Sequence, residues 1–85
     1  MITVRCLGHI ETSVGAKEVQ LAEEALDAEE IIARLRTLSA EADPGFTKYN
    51  TLVMVEDGEA FVPASAGRVV KSGQKVFLIP FSHGG

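Results

Sequence analysis

Hydrophobic and polar positions alternate from residue 2 onward. Ile2, Val4 and Cys6 fall on one side and Thr3, Arg5 and Leu7 on the other. A period of two predicts a half-buried strand, and Cys6, on the more apolar side, reads as a small core residue rather than a nucleophile. Lys17–Leu21 repeats the pattern with Val19 and Leu21 inward, and Gly8 and Gly15 bracket the segment between. Residues 2–21 therefore predict an opening hairpin closed by a turn region. The period then changes. Ala28, Ile31, Ile32, Leu35 and Leu38 recur at helical spacing and form one apolar stripe. Asp27 can cap this helix, Glu30 stands at the capping-box position, and Leu26 and Ile31 have the spacing of a hydrophobic staple. Arg34 and Arg36 lie off the stripe in the later turns, where positive charge suits the helix dipole. The helix should fade near Ser39–Ala42, with Asp43-Pro44-Gly45 as the stop. Ala22-Glu23-Glu24-Ala25 reads either as an extension of the helix or as a turn.

After a loop through Phe46–Asn50, Leu52–Glu56 predicts a third strand, and Asp57-Gly58 is a hairpin turn signal. Glu59–Val62 makes a short returning strand ended by Pro63, and Ala64–Gly67 is a small-residue loop. Ser72-Gly73 turns the chain into a last strand, Lys75–Ile79, punctuated by Pro80. The predicted order is β-β-α-β-β-β, an α+β fold with a mixed sheet of four to five strands. A single main helix covers one face of such a sheet, which leaves the other to solvent or a partner. Val76 and Leu78 belong to one face of the last strand and Phe77 and Ile79 to the other, yet all four are apolar. With Val76 and Leu78 under the helix, Phe77, Ile79 and Leu7 form an outward apolar patch. Such a patch marks an interaction surface, unless the 43–50 loop folds over it or it is ordinary scattered surface hydrophobicity.

Composition narrows the function classes. The chain has 85 residues, 46% of them hydrophobic, and a net charge of −4, which predicts one small domain with a single core. One cysteine supports neither a disulfide framework nor a Cys-rich zinc site. The acidic cluster Glu23, Glu24, Asp27, Glu29 and Glu30 disfavours nucleic-acid binding, which needs a basic stripe. No apolar run is long enough for a membrane span. Met1–Arg5 does not have the form of a secretory signal, so a cytoplasmic location is expected.

The candidate chemistry lies at Gly84-Gly85. Two terminal glycines arise by chance in roughly one chain in 200. Without a Cβ, a terminal glycine leaves its carboxylate sterically open and threads a narrow channel. No nucleophile–base pair or cofactor fingerprint is present, so no enzyme activity is expected and no bound cofactor or metal. His83 is the only side chain near the tail that could act as a base, and an exposed His beside two glycines is more often a linker residue. His9, in the predicted turn, and His83, with one buried Cys6, do not make a metal site.

The stretch Val70–Gly85 brings a Gly-containing turn, an apolar strand, a proline, a short linker and Gly-Gly. With Val55-Glu56-Asp57-Gly58-Glu59 in support, the chain resembles the ubiquitin-like β-grasp sulfur carriers. Among these are the small subunit of molybdopterin synthase and the thiamine-pathway sulfur carrier. Phe81 replaces a common second proline or its neighbour, and His83 a small residue. The resemblance implies a β-grasp domain over 1–81 and a flexible tail over 82–85. It implies that a partner activating enzyme, using ATP and Mg²⁺, adenylates the Gly85 carboxylate. A sulfur donor then converts it to a thiocarboxylate, which serves a larger synthase subunit, most closely that of molybdenum cofactor synthesis. Gly84 and Gly85 are then the reactive end, and Leu7, Phe77, Ile79, Phe81, Ser82 and His83 the partner-binding residues. The alternatives are a ubiquitin-like modifier joined through Gly85 to lysines of a target protein, a sulfur carrier for tRNA thiolation or thiamine, and a plain interaction module with an incidental Gly-Gly.

Overall fold

In the computed structural model, residues 1–64 and 67–81 are described. The opening alternation folds as strand β1 (Ile2–Cys6), with every second side chain buried, and pairs antiparallel with β2 (Glu18–Leu21). The segment between them is not a turn but a six-residue helix, α1 (His9–Val14), which buries Ile10 and Ser13. Gly15, at φ 85°, closes it by donating its N–H to the carbonyl of Glu11. Residues 22–26 follow neither expected course. Ala25–Asp27 is a short strand, β3, which runs directly into helix α2 (Ala28–Leu38).

Helix α2 starts where its cap predicts. The Asp27 carboxylate accepts from the Glu30 N–H at 2.8 Å, and the Glu30 carboxylate accepts from the Asp27 N–H at 3.0 Å. Leu26 and Ile31, the staple pair, are both buried. The helix ends at Leu38, with Ser39 already extended, so the predicted stripe runs one residue too far: Leu38 is 49% exposed. We expect Asp27→Ala to cost about 1 kcal/mol, which lowers the melting temperature by roughly 4–8 °C in a domain of this size. An unchanged thermal melt would mean that the cap contributes nothing.

Strand β4 (Thr51–Asp57) turns through Gly58-Glu59, one residue later than predicted, into β5 (Ala60–Pro63). Pro63 ends the strand as its last paired residue, opposite Met54. On this edge strand its missing N–H is not needed for pairing. A short strand missed in the sequence, β6 (Val69–Lys71), pairs with β3, and β7 (Lys75–Pro80) completes the described chain.

The main sheet has the order β2-β1-β7-β4-β5. The last strand in sequence therefore lies in the middle, parallel to β1 and antiparallel to β4. The inner face carries Ile2, Val4, Cys6, Val53, Val55, Val76 and Leu78. It is covered by Ile10 of α1, by Ile31, Ile32 and Leu35 of α2, by the β3–β6 pair through Leu26 and Val70, and by Phe46. The fold is a small α+β unit with a mixed five-stranded sheet and two helices among the described residues.

Candidate functional site: the outer sheet face and the root of the tail

Alternation along β7 divides its four apolar residues as expected. Val76 and Leu78 are fully buried, while Phe77 and Ile79 are half-buried on the outer face. The register assembles their neighbours. Ile79 lies beside Leu52, and Phe77 lies between Arg5 and Met54, with Pro63 beyond. Phe61 packs edge-on against Phe77 with ring centres 5.2 Å apart. Leu7 extends this face past the end of β1, its N–H donating to the Leu78 carbonyl at 3.2 Å.

The face grades from polar to apolar along β7. At the start of the strand, Lys75 lies between Thr3 and Glu56, pairs with Glu18 at 3.6 Å, and sets its ammonium 5.4 Å from the centre of the Phe77 ring. At its end are Ile79, Leu52 and Leu7. Leu52 and Phe61 remain 40% and 54% exposed. The 43–50 loop does not cover this face: its Phe46 is fully buried in the core on the other side of the sheet. Arg5, at mid-face, has an Nε that is buried and lacks a hydrogen-bond partner among the described residues.

Phe81, 44% exposed, stands at the apolar end. Its N–H donates to the Asn50 carbonyl at 2.9 Å, so the root of the predicted tail is tied to the loop before β4. Leu7, Phe77 and Ile79 thus share the outer face, and Phe81 follows them just past the end of β7. Ser82, His83, Gly84 and Gly85 lie outside the described residues. Sequence alone did not single out Leu52, Met54, Phe61, Pro63 or Arg5. The uninterrupted apolar run Leu52–Val55 hides which side faces out, and Phe61 joins the patch only through hairpin register.

Cys6 is fully enclosed, and burial, reinforced by the charge of Glu11, pushes its thiol up to about 11. A thiol so placed is protonated at neutral pH and is a poor nucleophile. Among the described residues no group of three His, Cys, Asp or Glu side chains could hold a metal ion, and no helix is long and apolar enough to cross a membrane. A groove of about 340 Å³ runs between α2 and the 48–53 segment. Its charged groups, Lys48 and Glu29, pair with each other at 3.4 Å, and Glu29 followed by Tyr49 raises the Lys48 pKa above its ordinary value.

No family model matches the chain, and none of the curated proteins or solved structures does.

Proposed function

We propose that this chain is a β-grasp carrier of the ubiquitin-like kind, activated at the carboxylate of Gly85 by a partner enzyme. The observation that carries the reading is the placement of β7. The strand runs through the centre of the sheet, parallel to β1, and leads to Phe81 at the apolar end of a face on which Leu52 and Phe61 are exposed. The sequence that follows is Ser82-His83-Gly84-Gly85. A candidate docking face and a glycine end are then close neighbours in sequence, which suits a protein that is held by one surface while its end is worked on elsewhere.

The chemistry follows from the weak electrophilicity of a carboxylate. A Gly85 carboxylate oxygen attacks the α-phosphorus of ATP on the activating enzyme, and pyrophosphate with its Mg²⁺ leaves. A hydrosulfide ion then attacks the acyl carbon, the C–O bond to the adenylate breaks, and AMP leaves, so that a thiocarboxylate remains after loss of the S–H proton. The carrier contributes the end and the docking face, and the partner contributes the catalytic groups. The receiving reaction nearest to the sequence resemblance is sulfur insertion in molybdopterin synthesis, on a larger synthase subunit. The same activated end would serve a modifier joined to lysines, or thiolation of tRNA or a thiamine precursor.

Intact-mass measurement tests the reading. With an adenylating enzyme of molybdopterin-type carriers, ATP and a sulfide source, the chain should gain the mass of one oxygen exchanged for sulfur, and the chain lacking Gly85 should gain none. An unchanged wild-type mass beside a control carrier that is loaded would sink the proposal. Gly85-dependent conjugates of higher mass in extracts would favour the modifier.

A further inference from the structure

The groove between α2 and the 48–53 segment adjoins a second hollow, also of about 340 Å³, and the two share Glu29, Ile32, Lys48 and Tyr49. Together they form one channel, open to solvent, that follows α2 from Ala28 to Arg36. Eight residues of helix make it about 12 Å long. The end near Ala28 is floored by Ile32 and Val53, both 4% exposed. The end near Arg36 is polar, with Thr47 and Lys48 on the far wall. Tyr49, 67% exposed, lines both hollows.

The charges along the channel are uneven. Two cations, Lys48 and Arg36, meet one carboxylate, Glu29, although the chain as a whole has a net charge of −4. Neither cation is tightly held. Lys48 pairs with Glu29 at 3.4 Å, where the Glu29 side chain is largely exposed, and Nη2 of Arg36 lies 3.8 Å from the wholly exposed carboxylate of Asp43. Exposed pairs of this kind add little stability, so an incoming carboxylate can share both cations. The Arg36 Nε is enclosed and has no hydrogen-bond partner among the described residues. No bond from that atom therefore fixes the direction of the guanidinium fork.

From this geometry we infer that the channel docks an extended segment of a partner protein, one that carries an apolar side chain and, two residues away, a carboxylate. The apolar side chain lies against Ile32 and Val53, and the carboxylate is shared by Arg36 and Lys48. Length favours a peptide over a small free acid. Four extended residues span about 13 Å, close to the length of the channel, and their alternate side chains stand about 6.7 Å apart on one side. A free acid would meet the cations and leave the apolar end empty. This docking asks nothing of the chain's end, so it is independent of the carrier reading.

Amide shifts in ¹H–¹⁵N NMR spectra of the intact chain test it. The probes are acetyl-Gly-Leu-Ser-Glu-Gly-amide and the peptide of reversed order, since a segment can enter the channel in either chain direction. One of them should shift the amides of Ile32, Ala33, Lys48 and Tyr49 with a Kd of about 1 mM, at low ionic strength where attraction between charges is least screened. Replacing its Glu by Gln should weaken binding about fivefold or more, and Lys48→Met and Arg36→Met should each weaken it about threefold. Both substitutions fall on side chains more than a third exposed, and if one variant does not fold the other decides. No shift from either peptide at about 10 mM overturns the inference. So do shifts confined to the outer face around Phe61 and Phe77, equal binding of the Gln peptide, or variants that bind like the wild type. Free glutamate that binds as tightly as the peptide would make the channel a site for small acids and overturn peptide docking. Sulfur loading at Gly85 reads the carrier proposal alone, and neither result bears on the other.

Discussion

Truncating Phe46 to alanine should cost about 3–5 kcal/mol, the range for removing a buried aromatic side chain. Phe46 lies between α2 and β4, in a segment without regular secondary structure, yet it is the largest fully buried side chain among the described residues. Deleting its ring leaves a cavity in the middle of the inner layer. The backbone around it is held by the Asn50 bonds to Thr47 and Gly45 and cannot collapse freely onto the void. A domain of this length has a total stability of roughly 4–13 kcal/mol, so the loss is a large share of the whole. Urea titration followed by circular dichroism measures it. A loss under about 1 kcal/mol, the size of an exposed-site change, would mean that Phe46 is not in the core.

Two neighbouring residues should give opposite results. Val76→Asp places a carboxylate at a fully buried position on the central strand, with no cation among the described residues of the core to meet it. The charge cannot be solvated there, and the variant should not fold at neutral pH. Phe77→Asp sits one residue on and faces out, close to Lys75 and in register with Arg5. It should remain folded, with a loss of about 1–2 kcal/mol from the forfeited Phe61 contact and apolar burial. It should nevertheless lose partner binding by at least tenfold. Heteronuclear NMR spectra of the two variants read the fold directly, and titration with the proposed partner, an adenylating enzyme of molybdopterin-type carriers, reads the binding. A folded Val76→Asp, or a Phe77→Asp that unfolds, would reverse the assignment of the two sheet faces.

What the sequence reveals about this fold depends on the range of the interaction. The α2 cap is legible because Asp27 and Glu30 are three residues apart, and the β4–β5 turn because Gly58 carries the positive φ such a turn needs. The inward side of β1 is legible because its outward positions include Thr3 and Arg5. Strands β3 and β6 were hidden for the opposite reason. Each has three residues, and Leu26 acquires its partner Val70 only after the chain has folded back across the α2 and β4 elements. Helix α1 was hidden by its two flanking glycines, which signal turns, although Ile10 and Val14 already stand one helical turn apart. For the candidate site, the outward set Leu7, Phe77 and Ile79 follows from alternation alone. Its continuation across Leu52, Met54 and Phe61 depends on strand register, which an all-apolar run such as Leu52–Val55 does not encode.

The central position of β7 also shapes how the molecule comes into being. During synthesis β1 is made well before its parallel partner β7, with α1, β2, β3, α2, β4, β5 and β6 between them in sequence. Until then β1 has one open edge and β4 another, and the core lacks Val76 and Leu78. Pairings between distant segments form slowly, because the chain between them must be ordered before the contact stabilises anything. Unpaired apolar edges meanwhile invite association with other chains. The strand that seals the sheet is the one that Phe81-Ser82-His83-Gly84-Gly85 follows in sequence. A chain cut short before Lys75 would therefore leave β1 and β4 each with an unpaired edge.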